Sequence, residues 1–194
     1  MSGTARATGG IVLAAGEGRR FGGRKQLAEL HGRPLLEHVL SAMAATPLER
    51  VVVVLGANAD EVLSGVDLYG AEPVVFAAWH EGQAASLRAG LDALGDVAGA
   101  VVALGDQPRL SPLAVERLLS APTDGFDAAR ATYAGKPGHP VLLRRSLFPA
   151  VRQLSGDEGA RGLLEHARVA SVACDGLGGP EDVDTRDELE ELNR

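Results

Sequence analysis

Between Leu13 and Lys25 the chain carries glycines at 16, 18, 22 and 23 and basic residues at 19, 20, 24 and 25. The run follows the apolar stretch Ile11 to Ala15 directly. Glycines in that position let backbone N–H groups approach phosphate oxygens and form a concavity for an anion. Leu13, Ala14, Ala15, Gly16 and Gly18 are therefore expected to line a nucleotide phosphate site. Arg20 and Lys25 would supply positive charge where a triphosphate sits. The plain alternative is a flexible basic turn. Only Lys25 and Lys136 among the nineteen basic residues are lysines, a mild pointer to a specific use for each.

Two common phosphate loops do not fit. A dinucleotide loop needs G-x-G-x-x-G, whereas Gly16, Gly18 and Gly22 give one residue too many. A P-loop needs lysine directly after its last glycine and then a hydroxyl; here Arg24 intervenes before Lys25, and Gln26 follows it.

Asp106 comes just after a second apolar run, Ala100 to Leu104, at what would be the ligand-binding end of a parallel sheet. A carboxylate there can hold Mg²⁺, a hard cation that keeps one or two protein carboxylates plus phosphate oxygens. It could instead cap the helix that follows, although Ser111-Pro112 makes a better helix start. Asp182-Val183-Asp184-Thr185 precedes the acidic pair Asp187-Glu188, which is also how an ordinary helix N-terminus reads.

The elements that must position these groups alternate as βα units, the pattern of a mostly parallel sheet with helices on both faces. Strands are expected at Ile11 to Ala15, Val51 to Leu55, Pro73 to Phe76 and Ala100 to Leu104. Helices are expected at Pro34 to Ala45, from about Asp60, at Ala84 to Leu94 and after Ser111. Beyond residue 125 the pattern loosens. Phe126 to Tyr133 and Pro140 to Leu143 read as strands around a glycine-rich connection, followed by helices near Ser146 to Leu154 and Glu158 to His166. A last strand at Val169 to Ala173 precedes a helix from about Thr185. Residues 1–8 read as a loose tail and 9–194 as one domain.

The loop, continued through Lys25-Gln26-Leu27 and Gly32-Arg33-Pro34-Leu35-Leu36, resembles the signature of the MobA-like nucleotidyltransferases. So, in the same order, do Gly82-Gln83-Ala84-Ala85-Ser86-Leu87, Leu104-Gly105-Asp106-Gln107-Pro108, Gly138-His139-Pro140, Gly156-Asp157-Glu158-Gly159-Ala160-Arg161 and Asp182-Val183-Asp184-Thr185. The resemblance is greatest to the molybdenum cofactor cytidylyltransferase branch. It implies a three-layer α/β/α sandwich with a Rossmann-like sheet of the nucleotide-diphospho-sugar transferase type.

It further implies that Asp184 is a second metal position beside Asp106, that Gly82 and Ser86 lie near the nucleotide, and that His139 lies on the acceptor side. Arg161 is then a candidate partner for an acceptor anion. The implied reaction transfers CMP from CTP to a molybdopterin-type cofactor with Mg²⁺, releasing pyrophosphate, and a molybdenum hydroxylase would receive the product. Lys25, Arg20 and Asp106 would carry the chemistry. Guanine-using relatives tend to have glycine where Ala15 stands and aspartate where Arg24 stands, so the base expected is cytosine rather than the guanine of GTP. Gly18 departs from the serine common to both branches. Two other readings share the architecture: an NAD(P)H-using oxidoreductase of the nicotine blue type, and a carrier that delivers molybdenum cofactor without catalysis.

Composition limits the alternatives. A net charge of −7 over 194 residues argues against a nucleic-acid-coating protein. No apolar run approaches the ~18 residues of a membrane span. The short polar start suggests a cytoplasmic location. Cys174 is the one cysteine, so an internal disulfide and a multi-cysteine metal site are both excluded.

Overall fold

A computed structural model describes residues 7–156 and 160–194. The first strand, β1 (Thr8–Ala14), is apolar on both faces: Ile11 packs with the core on one side and Val12 with the core on the other. Such a strand has to lie inside a sheet with helices on both sides. It does. The seven-stranded sheet has the order β5-β4-β1-β6-β8-β7-β9, with β4 at Val51–Leu55, β5 at Glu72–Val75, β6 at Gly99–Leu104, β7 at Ala128–Tyr133, β8 at Lys136–Arg144 and β9 at Val169–Ala173. β2 (Glu29–Leu30) and β3 (Arg33–Pro34) form a separate hairpin.

β1 pairs in parallel with both β4 and β6. The chain moves outward from β1 to β4 and β5, then returns to place β6 on β1's other side. Loops leaving β1 and β6 therefore face each other across the point where strand order reverses, the usual ligand crevice of an open α/β sheet. β8 alone runs against its neighbours, antiparallel to β6 and β7, while β9 returns parallel to β7.

Helices α1 (Leu35–Ala44), α2 (Ala59–Gly65) and α4 (Pro112–Leu119) cover one face through Leu36, Val39, Leu40, Val62 and Leu118. Helices α3 (Gln83–Leu94), α5 (Phe148–Val151) and α6 (Arg161–His166) cover the other through Leu87, Leu91, Phe148 and Leu164. The architecture is the expected three-layer sandwich. α7 (Arg186–Leu192) lies apart, over a small core of Phe21, Leu30, Leu35 and Val183.

Differences from the sequence expectation are local. Thr8, read as tail, is the first residue of β1 and pairs with Gly99. β8 begins at Lys136, because Ala134 and Gly135 take positive φ and turn the chain within two residues. The helix expected at Ser146 to Leu154 is a 3-10 turn followed by the four residues of α5. Glu158, the expected start of the next helix, lies outside the described residues. No helix among the described residues is long and apolar enough to cross a membrane.

Ile11 is fully buried between α3 and the sheet. Ile11→Ala should cost about 2–5 kcal/mol, seen as a lower denaturant midpoint at unchanged slope; a cost below about 1 kcal/mol would contradict the packing described.

Candidate active site

The chain leaving β1 is shaped by backbone geometry that only small or special residues accept. Gly18 (φ 69°) and Gly22 (φ 90°) bracket a 3-10 turn at Arg19–Phe21, and Gly23 N–H returns to the Gly18 carbonyl at 3.0 Å. Arg24 then adopts the left-handed conformation (φ 53°), and a second 3-10 turn, Lys25–Leu27, points Lys25 across the crevice. Phe21 is buried, with the Arg186 guanidinium 5.0 Å from its ring centre, so the loop is pinned beneath α7.

Gln26 holds the base of this loop. Its amide donates to the Ala14 carbonyl (2.8 Å) and the Gly16 carbonyl (2.9 Å) from a nearly buried position. In the sequence Gln26 stands out as part of the Lys25-Gln26-Leu27 signature and in place of a P-loop hydroxyl, with no structural role of its own. Its burial was the signal needed, and burial is invisible in a linear sequence.

Opposite the loop, β6 ends in Gly105-Asp106. A Cβ at Gly105 would lie 2.9 Å from the Ala14 Cβ, so only glycine lets these two strand ends approach so closely. Asp106 caps no helix; Ser111 occupies the N-cap position of α4. The Asp106 backbone carbonyl instead accepts from Val183 N–H at 2.9 Å, drawing in the segment before α7. There Thr185 is the N-cap, closed reciprocally by Glu188, which leaves the Asp184 carboxylate free of capping. The helix-start pattern and the inward carboxylate coexist one residue apart.

Three distant stretches thus meet at one cation. Lys25 Nζ donates to Asp106 Oδ2 at 2.6 Å and to Asp184 Oδ1 at 3.2 Å, with its side chain only 14% exposed. Arg20 reaches Asp184 Oδ2 at 3.0 Å from a largely exposed position. Burial works to lower the Lys25 pKa, but the charge and hydrogen bonds of Asp106 and Asp184 outweigh it and hold the ammonium above its ordinary value. Asp106 Oδ1 is buried without a hydrogen-bond partner. Asp182 faces away, accepting from the buried Gln107 amide at 2.6 Å; burial raises its pKa, and Asp106 and Asp184 push it the same way. Gln107, quoted in the Leu104 to Pro108 signature, likewise gains its role only in the fold.

Among the described residues no group of three or more His, Cys, Asp or Glu side chains could hold a metal. Asp106 and Asp184 offer two carboxylates in a crevice beside a phosphate-type loop, with one buried oxygen unanswered. That donor set suits a hard divalent cation completed by ligand oxygens.

A cavity of about 410 Å³ opens from the same point, bordered by Leu13, Ala15, Gly16, Trp79, Ser86 and Asp106. Gly82 (φ 101°) starts α3 at its rim with no side-chain cap, so the first N–H groups of this twelve-residue helix are open to a ligand. Ser86, one turn in, is buried. Trp79 both lines the cavity and packs on the core beneath α3. A smaller adjoining cavity is bordered by Ala14, Gly18, Lys25 and Asp106. Glu17, an acid inside an anion-type loop, is engaged by Arg19 at 2.7 Å.

His139 is not brought to Lys25. It sits in β8 and borders neither cavity; the Tyr133 hydroxyl donates to its carbonyl at 3.0 Å. Burial, helped by the charge of Arg130, pulls its pKa to about 4. In the Gly156 to Arg161 turn, residues 157–159 lie outside the described residues. Arg161 is 83% exposed and pairs loosely with Glu165 at 3.8 Å.

The profile of the MobA-like NTP transferase domain matches residues 10–172. The chain is 37% identical over 196 residues to nicotine blue oxidoreductase of Paenarthrobacter nicotinovorans, covering 94% of this chain and 95% of the relative. The crystal structure of Rv0371c from Mycobacterium tuberculosis H37Rv superposes with TM-score 0.88 at 32% identity, covering 98% of each chain. A second structure of that protein, in complex with manganese, gives TM-score 0.83 at 30% identity, covering 96% of this chain and 97% of the other.

Two measurements test this geometry. Lys25 competes with any metal for Asp106 and Asp184, so Lys25→Met should tighten Mn²⁺ binding in the absence of nucleotide by about tenfold, read by calorimetry; unchanged or weaker binding would count against the bridge. For His139, the unfolded chain regains the ordinary 6.5 and binds more protons between pH 6.5 and 4. The stability linked to its neutral form is complete above pH 6.5 and falls by up to roughly 3 kcal/mol toward pH 4. His139→Gln should flatten that slope in urea unfolding; an identical slope would refute the buried neutral imidazole.

Proposed function

The chain belongs to the MobA-like NTP transferase family, and we propose that it transfers CMP from CTP to the terminal phosphate of a molybdopterin-type cofactor, releasing pyrophosphate. The observation that carries this reading is the convergence of Asp106 and Asp184 on Lys25 beside the glycine loop, with one Asp106 oxygen left buried and unpartnered. Passive carriage of a cofactor has no evident need of such a pair.

In this reading the loop amides from Gly16 onward, Lys25 and Arg20 hold the triphosphate. Asp106 and Asp184 hold Mg²⁺; the manganese bound in the mycobacterial relative supports divalent-metal use. Bound Mg²⁺ would neutralise phosphate charge and polarise the phosphoryl group. Lys25 then turns from the carboxylates to the phosphate oxygens, exchanging one set of anionic partners for another without losing its charge. The acceptor phosphate is already an anion, so the protein needs no general base and works by alignment and charge neutralisation. Gly82 and Ser86, at the start of α3, would meet the nucleoside side of the cavity. Ala15 borders that cavity, and alanine rather than glycine at that position supports cytosine over guanine. A molybdenum hydroxylase would be the receiver of the product.

The second reading is an NAD(P)H-dependent oxidoreductase, favoured by the 37% identity to nicotine blue oxidoreductase. One set of assays separates them. Protein, Mg²⁺ and molybdenum cofactor are incubated with CTP or GTP while pyrophosphate is followed, and NADH consumption is measured in parallel with nicotine blue. Pyrophosphate release with CTP is expected; NADH consumption without pyrophosphate release would overturn the proposal. Asp106→Asn should reduce metal-dependent turnover by about 100-fold or more with the fold intact by circular dichroism.

A further inference from the structure

Away from the Lys25 site, Arg130 is a partly buried cation on the sheet that no carboxylate pairs with among the described residues. Arg130 lies in β7 between Ala129 and Ala131, both of which pack on the α1 face, so its own side chain leaves on the α3 face. It is partly buried. Its Nε donates to the Gly138 carbonyl at 3.1 Å, and among the described residues no carboxylate pairs with it and nothing accepts from the rest of its guanidinium. A desolvated charge without a partner is costly, and a guanidinium with its outer fork vacant is shaped for an oxyanion.

Two further basic groups share that face. Val141 pairs with both Arg130 and Val102, and His139 follows on the same face of β8, two residues nearer the end where Asp106 stands. α6 covers this face through Leu164, and its first residue is Arg161; burial, and after it the charge of Arg161, lowers the Arg130 pKa. The His139 imidazole, neutral at neutral pH, can donate a hydrogen bond without adding to the repulsion between the two guanidiniums. Arg161 keeps only a loose pairing with Glu165 at 3.8 Å, and among the described residues no acid pairs with Arg130 or His139.

We propose that Arg130, flanked by His139 and Arg161, binds an oxyanion of the acceptor, at the end of that molecule remote from the group that attacks the nucleotide. That the ligand is an acceptor rests on the transferase reading above; that the site takes an oxyanion does not. Arg130, on β7, lies two strand spacings from β6, roughly 10 Å across the sheet. The acceptor therefore carries two anionic ends about that far apart, one presented near Asp106 and one gripped at Arg130. The site makes a doubly charged acceptor preferable to a simple phosphomonoester.

The test uses the full chain and inorganic phosphate. Side-chain NMR of the five histidines is followed during a phosphate titration, with His139 as reporter and the other four as controls. His139 resonances should titrate; Arg130→Gln should raise the midpoint at least tenfold, Arg161→Gln severalfold, and Arg130→Lys should fall between wild type and Arg130→Gln. CTP binding, measured separately with Mg²⁺, should not change in these variants. A silent His139 in the wild type, or a wild-type midpoint in Arg130→Gln, overturns the site. If Arg130→Gln does not fold, the exposed Arg161→Gln decides, and an unchanged midpoint there overturns it. Failure of the wild type to bind CTP or GTP would remove the transferase reading alone, while the phosphate titration would still judge the anion site.

Discussion

The site depends on one ammonium group shared by two carboxylates that are 81 and 159 residues from it in sequence. Two carboxylates facing each other in a half-buried crevice repel, and each loses hydration. Lys25 makes that arrangement tenable in the ligand-free protein. Buried ion pairs of this kind contribute little net stability, because desolvation offsets most of the attraction. Their presence is better explained by a use for the carboxylates than by a need of the fold.

What brings the three together is ordinary packing. β1 and β6 lie side by side, and Gly105 allows the strand ends to approach closely enough for the loop and Asp106 to share the crevice. Gln26 ties the loop's own carbonyls inward, which turns Lys25 toward β6. The third stretch arrives from the end of the chain. Val183 fills the small core with Phe21, Leu30 and Leu35, and its N–H bonds to the Asp106 carbonyl, so Asp184 is delivered by a hydrophobic anchor on one side and a strand-like hydrogen bond on the other. Asn193 at the far end of α7 bonds to His31 and Glu29 of the β2–β3 hairpin and fixes the helix that follows. Loop, metal-type pair and α7 therefore share one support, and slack in the Phe21 core would loosen all three.

Much of this was legible in the sequence because the relevant signals are local. Glycines after an apolar run mark the loop, and the βα alternation marks the parallel half of the sheet. Asp184 marks the limit of such reading. The same four letters, Asp-Val-Asp-Thr, describe both a helix start and an inward carboxylate, and the structure uses them for both, with Thr185 capping and Asp184 turned to Lys25. The roles of Gln26, Gln107 and Arg130 are not legible in the sequence, for a common reason. Each matters because of its burial, nearly complete for the two glutamines and partial for Arg130, and of its partners, which are 10 to 75 residues away for the glutamines and, for Arg130, absent as acids among the described residues. Pairing of that kind is a property of the tertiary fold alone.

The reversed strand explains a further asymmetry in the motifs. Gly105-Asp106 follows an apolar run, whereas Gly138-His139 precedes one. In a wholly parallel sheet, residues before a strand would lie at the end away from the ligand crevice, and His139 would be on the wrong side of the molecule. Because β8 is antiparallel to β6, its beginning comes to the same end as β6's finish. The order of glycine, polar residue and apolar run thus encodes strand direction. Asp106 and His139 thus stand at the same end of the sheet on strands of opposite direction, with His139 outside the two cavities beside Lys25. A group-transfer enzyme has to keep two anionic substrates apart until they are aligned. Strands of opposite direction meeting at one end of the sheet let the groups on each change without altering the register that holds the other.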